Sequence, residues 1–485
     1  MEGVKSKSVS IAVFILLFSS ASAGLASHKA HTAKNIILLI SDGCGYFHVD
    51  AASIYQYGAT GTQAYEHFPV VCGMSTYMVY VDSLGNVMER GYDPTQAWNS
   101  FDYVMQYSTD SAAAATAIST GVKTYNGAIG VDPKKRPLRH ITQFAEDLGK
   151  ATGVVTSVQW SHATPAGFVA HNVSRHNYVE IAREMILDSA CEVIMGCGHP
   201  LFDSDGRSAD RIEYKYLGGE GVWDGLVTGA VEFDVDGDGV SDKVVPDVDG
   251  DGVPDPWTLV QTRSQFQALM TGPTPKRVFG IPQVRSTLQY DRSGFIGTPA
   301  LEAVEAPYST PPIETVPTLE EMTRAALNVL DDDPDGFFLM VEGGAVDWAG
   351  HDNHSARMIE EEIDFNRSVE AVIRWVEGNS SWDETLVIVT GDHECGYLTG
   401  PGSGLRVDDP RGKPFAVWNP IENNGTGKLP GMEWHSDSHT NSLIPLYAKG
   451  PGSERFHGCV KGSDPVRGPF VDNTDVARVM RESFE

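Results

Sequence analysis

The alternation of apolar and polar positions along the chain divides it into short buried runs and longer periodic segments. Asn35 to Ile40, Gly153 to Val158, Gly336 to Val341 and Thr385 to Thr390 are continuous apolar stretches without alternation. Such runs are expected of parallel strands covered on both faces, and helical segments separate them. Ser111 to Thr120 is rich in Ala, the best helix former, and Thr318 to Leu330 and Ser355 to Val376 carry apolar residues at helical spacing. The pattern predicts an α/β fold, a three-layer sandwich with a central, mostly parallel β-sheet flanked by helices. Two regions, about 200–260 and about 395–434, are rich in Gly with Asp or with Pro and Asn. They lack apolar periodicity and read as surface insertions.

Each predicted strand runs into polar residues at its C-terminal end. Ile40 leads to Asp42, Val158 to His162 and Thr164, Val341 to Glu342, and Thr390 to Asp392 and His393. In open α/β sheets ligands bind beyond the carboxyl ends of the strands, so Asp42, Glu342, Asp392 and His393 gather on one edge. A single Asp after a strand is ordinarily a turn former or helix cap. Four such ends together point to a site. Asp347 and His351 are spaced i, i+4, which puts both on one face of a helix. With Asp392, His393 and His439 they supply the oxygen and nitrogen donors that catalytic zinc takes.

Ser111 stands at the head of the Ala-rich segment. A helix cap is its plain structural reading, yet a helix N-terminus is also a ready anion site. A serine hydroxyl needs a base or a metal to become a nucleophile. The chain has no G-x-S-x-G motif, which disfavours a hydrolase elbow and leaves metal activation.

The stretch from Thr109-Asp110-Ser111 through Gly121-Val122-Lys123-Thr124-Tyr125-Asn126-Gly127 resembles the nucleophile motif of alkaline phosphatases. The other motifs follow in that family's order over roughly 34–480, insertions excluded. The resemblance implies a phosphomonoesterase with two zinc ions and one magnesium ion, working through a phosphoserine at Ser111 with Arg175 on the phosphate. It implies Asp42, Thr164 and Glu342 around the magnesium, with Asp42 shared by the second zinc. It implies Asp347, His351 and His439 on the first zinc, and Asp392 and His393 on the second. His162 and Trp348 stand where some members carry Asp and Lys, near the third metal and the phosphate. That variation predicts faster product release and weaker metal retention. A homodimer is also implied. A phosphodiesterase of the same superfamily and a catalytically silent secreted calcium-binding protein are the competing readings.

Composition adds four points. The formal charge of −29 argues against a nucleic-acid-binding surface and fits a salty milieu or many bound cations. Residues 1–23 read as a signal peptide, with Lys5 and Lys7, a short apolar run and an A-x-A site at Ala21-Ser22-Ala23. That leaves 24–485 as the exported, periplasmic or secreted domain. The run is too short to span a bilayer, and no other stretch is long enough. Export permits disulfides among the six cysteines, and the close pair Cys191 and Cys197 suits a short bridged loop. Finally, Asp234, Asp236, Asp238 and Asp242 recur thirteen residues later as Asp247, Asp249, Asp251 and Asp255. With Gly at the sixth position this resembles a calcium loop, although the Glu expected at position 12 is missing. A solvated acidic linker is the plainer alternative.

Overall fold

The computed structural model describes residues 32–293, 305–406 and 415–485. The predicted signal peptide lies outside them. One sheet of eleven strands organises the chain. In chain order these are β1 (Asn35–Ser41), β2 (Val70–Ser75), β3 (Ala151–Gln159), β4 (Val193–Cys197), β5 (Thr258–Val260), β6 (Val278–Gly280), β7 (Phe337–Gly343), β8 (Thr385–Gly391), β9 (Ile444–Lys449), β10 (Gly462–Asp464) and β11 (Gly468–Asp472). Their spatial order is β10-β11-β2-β9-β8-β1-β7-β3-β4-β6-β5. The run from β8 to β5 is parallel throughout, and the antiparallel pairings are confined to β8–β9, β9–β2 and β10–β11.

The four strands predicted from continuous apolar runs are β8, β1, β7 and β3, adjacent in the middle of the sheet. Every residue of the four is buried. This explains the missing alternation, because helices cover both faces. Alternate side chains of β1 feed two cores: Ile36, Leu38 and Ile40 enter one, Ile37 and Leu39 the other. The predicted helices are present as Ser111–Thr120 (α1), Leu319–Leu330 (α2) and Ser355–Asn379 (α3). Thr318 caps α2 by accepting from the Glu321 amide, with Glu321 reaching back to the Thr318 amide.

The region around 200–260 departs from a plain surface excursion. Its flanks are packed: Leu217, Val222, Trp223, Leu226, Phe233, Val245 and Trp257 are buried, and β5 joins the edge of the main sheet. The Asp/Gly turns between them face solvent. Around 395–434, Cys395, Tyr397, Leu398, Thr399 and Ile421 are buried against the body. Cys191 and Cys197 cannot form the short bridge. Cys191 lies two residues before β4 and Cys197 is its last residue, so the extended strand, about 13 Å from end to end, holds them apart. All six cysteines are free and buried. Among the described residues no helix is long and apolar enough to cross a membrane.

Candidate active site

Register places the site. Ser41 at the end of β1 is level with Gly343 on β7 and Gly391 on β8, and Ile40 is level with Glu342. Asp42 and Asp392 therefore leave neighbouring strands side by side. Thr156 on β3 is opposite Glu342 and donates to its Oε2 at 2.5 Å. Beyond β7 the helix Ala345–His351 carries Asp347 and His351 on one face. Gly43 turns with a φ of 75°, and a Cβ there would lie 2.7 Å from the Asp347 Cα. Glycine is thus required for the two segments to approach.

Ser111 opens α1, and Asp110 caps it by accepting from the Ala113 amide at 2.9 Å. Every residue of α1 is buried. Its alanines let the segment Ala163–Val169 pack close, since a Cβ on Gly167 would meet the Ala115 Cβ at 2.7 Å. The rest of the motif folds back on Asp110. Asn126 accepts from the Asp110 amide, and Asp110 Oδ2 accepts from the Gly127 amide and from Arg175 Nη1 at 3.0 Å. Lys123 anchors the turn through a buried ion pair with Asp472 at 3.0 Å.

Two clusters of donors converge beside Ser111. In one, His439 Nε2 lies 3.0 Å from His351 Nε2 and 3.2 Å from Asp347 Oδ1, and His351 Nε2 lies 3.5 Å from Asp347 Oδ2. In the other, His393 Nε2 lies 3.4 Å from both Asp42 Oδ1 and Asp392 Oδ2, and 3.3 Å from Ser111 Oγ. His439 Nδ1 faces the Thr109 carbonyl at 2.9 Å and His351 Nδ1 faces the Asp437 carbonyl at 2.7 Å. With each Nδ1 carrying the hydrogen it donates, two neutral rings would turn bare Nε2 lone pairs toward each other. Lone pairs that close repel unless a cation sits between them. Donors on a tetrahedral zinc at 2.0–2.1 Å would stand about 3.3 Å apart, which these separations match. Asp42 Oδ1, Glu342 Oε1, Thr164 Oγ1, Asp347 Oδ1, Asp392 Oδ2 and His393 Nδ1 are buried without a hydrogen bond. Orphaned buried oxygens are costly. The residues present fit metal ions.

Electrostatics agree. Burial raises the Asp42 carboxyl well above its usual range, and the neighbouring Asp392 adds to this. Burial likewise pushes Asp392 up to about 6 and Glu342 up to about 7. His393 is held well below its ordinary value by burial and stays neutral. Burial opposes the charge of His439, but Asp347 outweighs it and pushes the imidazole up to about 9.

His162 and Trp348 pack edge to face, with ring centroids 5.9 Å apart, and His162 also stacks on Tyr178. Desolvation, then Arg175, pushes His162 down to about 3. Asp110, Asn126 and Thr156 were not legible as site residues from sequence. The adjacency of Asp110 to Ser111 was the one signal for the first.

The acidic repeat forms two like turns. Asp234 Oδ1 accepts from the Gly237 amide and Oδ2 from Gly239, and Asp247 repeats this with Gly250 and Gly252. Carboxylates of Asp234, Asp236 and Asp242 converge, as do those of Asp247, Asp249 and Asp251. Asp238 accepts from the Val240 amide, and Asp255 from Val248. Lys276 pairs with Asp249 and, at 3.1 Å, with Asp255.

Comparison with known proteins bears on the whole arrangement. The family model described as alkaline phosphatase matches residues 33–225 and 257–411. The span it passes over contains the acidic repeat. The chain is 31% identical to the alkaline phosphatase of Escherichia coli (strain K12), over 89% of this chain and 84% of that protein. It is 26% identical to alkaline phosphatase 4 of Bacillus subtilis (strain 168), over 96% of each. The cold-active alkaline phosphatase structure from the psychrophile Shewanella sp. superimposes with a TM-score of 0.60 at 24% identity, covering 93% of this chain and all of that one. The likeness in structure shows the same fold, and the family match runs through every strand end that carries the site except His439, so this chain belongs to the alkaline phosphatase family, whose members are phosphoric monoester hydrolases.

Proposed function

We propose that the chain hydrolyses phosphate monoesters through a phosphoserine at Ser111, at a centre of two zinc ions and one magnesium ion. The observation that carries this reading is the buried Ser111 hydroxyl at a helix N-terminus, between Arg175's anchor and the bare donors of two clusters. Asp347, His351 and His439 would hold the first zinc, Asp392, His393 and Asp42 the second, and Asp42, Thr164 and Glu342 the magnesium. When bound, such cations lower the pKa of the serine hydroxyl and of water and polarise phosphoryl oxygens.

The chain's own residues do the rest. Arg175, fixed through Asp110, presents its planar fork to two phosphate oxygens. The free amides and dipole of α1 favour the same anion. Ser111 Oγ forms the bond to phosphorus as the bond to the leaving alcohol oxygen breaks. Water then cleaves the phosphoserine, returning the hydroxyl and releasing phosphate. Neutral His393 adds no positive charge of its own beside Oγ. His162 and Trp348 set the third-metal and phosphate surroundings, and their combined exchange to Asp and Lys should strengthen inhibition by phosphate.

The test is release of nitrophenol from a nitrophenyl phosphate monoester and from the corresponding diester, before and after chelation and after restoring zinc and magnesium. Monoester turnover that chelation removes and the metals restore supports the reading. Preference for the diester overturns it. Arg175→Ala should lower kcat/KM about 10- to 100-fold, the worth of lost charge-assisted hydrogen bonds, and Arg175→Lys should recover only part because Lys lacks the fork. Steady-state kinetics checks both.

Two further elements belong to the proposal. The homodimer is checked by sedimentation of the full chain. Calcium in the acidic repeat is favoured by the convergence of three carboxylates in each turn. The Asp234 turn should bind more tightly than the Asp247 turn, where the Lys276 ammonium competes. Calorimetric titration should therefore show two unequal sites that Lys276→Ala makes more nearly equal. Heat no greater than that of an Asp-to-Ser control would remove calcium from the account.

A further inference from the structure

We infer that Cys395 supplies a fourth, sulfur donor to the metal site of Asp347, His351 and His439. The inference rests on the reading of those three residues as metal ligands and extends it. All four donor atoms lie within 4.8 Å of one another. Cys395 is fully buried.

The fold places the sulfur there by several independent constraints. Glu394–Cys395 and His439–Thr440 form a two-residue antiparallel ribbon in which Cys395 stands directly opposite His439. Side chains of facing residues in such a pair project from the same face and lie close together. The Cys395 amide donates to the Gly43 carbonyl at 2.9 Å, fixing its backbone against the segment after β1. Glu394 ties the ribbon across itself, accepting from the Thr440 hydroxyl at 2.5 Å and from the Leu398 amide at 3.1 Å. Gly350, between Asp347 and His351, makes room: a Cβ there would lie 3.2 Å from the Cys395 Sγ and 3.0 Å from its Cβ. Asp347 Oδ1, buried and 3.2 Å from His439 Nε2, faces the same space.

The chemical consequence is a change in the site's preference. Asp, His and His form a borderline oxygen–nitrogen set with one position open, the composition of a catalytic zinc site. A thiolate turns it into a mixed set that favours soft ions. Ligation exchanges the S–H bond for a sulfur–metal bond and releases one proton to solvent, so no oxidant or reductant is needed. Cadmium should gain on zinc at this site.

Metal-free full-length protein titrated with Co2+ tests this without any activity measurement. The expected result is a near-ultraviolet thiolate-to-cobalt charge-transfer band alongside the visible cobalt bands. Cys395→Ser should lose the first and keep the second. The cadmium-over-zinc preference should fall about 10-fold in the same variant, at the low end of what loss of a supporting metal contact costs. Cys395→Ala provides the same comparison if the Ser variant fails to fold. Visible bands without a charge-transfer band in the parent protein would overturn sulfur ligation and leave the metal site standing. If the parent protein and His439→Ala gave the same cobalt spectrum throughout, the reading of the metal site would fall together with the inference.

Discussion

Ser111→Ala should lose phosphomonoesterase activity by about 10³-fold or more while keeping its fold. On the proposed mechanism the loss follows from removing the atom that would bond to phosphorus, for which neither neighbouring donor cluster offers a substitute. The stability follows from the local structure. Asp110, not Ser111, caps α1, and Ser111 Oγ makes only the long 3.3 Å contact with His393. Alanine is also the best residue for a helix start of this composition. The prediction thus separates the two readings of this serine. A residue serving as a cap would cost stability on removal, roughly 1 kcal/mol, and little activity. Measured kcat and thermal midpoint together decide the matter. A variant with parental turnover would overturn the assignment of the nucleophile.

The middle of the fold was legible because burial on both faces leaves a strong mark on sequence. β1, β3, β7 and β8 could be read from apolar runs, and their polar C-terminal neighbours then named the edge that carries the site. What was not legible is where strands are short or half-exposed. β5, β6, β10 and β11 have three to five residues each, too few for a pattern to stand out. Packed residues near the acidic repeat were hidden by the Gly and Asp around them. Within the candidate site, the side chains that converge could be named because Asp and His after a strand are conspicuous. Their supports could not. Asp110 holds Arg175 across sixty-five positions of sequence, and the Thr109 and Asp437 carbonyls that orient the histidines leave no mark on residue type. Cys395 was one cysteine among six until the ribbon with His439 placed it.

Stripping the metals should make the protein less stable as the pH rises, so that the gap in thermal midpoint between metal-loaded and metal-free protein widens between pH 5 and pH 8.5. In the metal-free chain Asp392 and Glu342 titrate near 6 and near 7, above their unfolded values of 3.8 and 4.5. Between those limits the folded state holds protons that the unfolded state has lost, and stability therefore falls with rising pH. His439 acts in the same direction. Raised to about 9 from 6.5, it contributes stability that is full below 6.5 and lost as the pH climbs through 9. Asp347 and His393 have the opposite sign: the depressed Asp347 contributes above 3.8 and is complete by pH 5, and the penalty on neutral His393 fades as the pH rises to 6.5, but both keep the same charge with or without bound cations and so leave the gap unchanged. The sum is on the order of several kcal/mol, because one pKa unit is worth about 1.4 kcal/mol. For a chain of this size that widens the gap by about 3–5 °C. Bound cations remove the penalty by keeping the carboxylates ionised and His439 neutral. Replacing the carboxylates with amides, as in Asp392→Asn, should flatten the metal-free profile while weakening metal binding. Calorimetric scans of both forms across the pH range check this. A gap that stayed constant or narrowed toward high pH would mean that these buried acids are not compensated by cations.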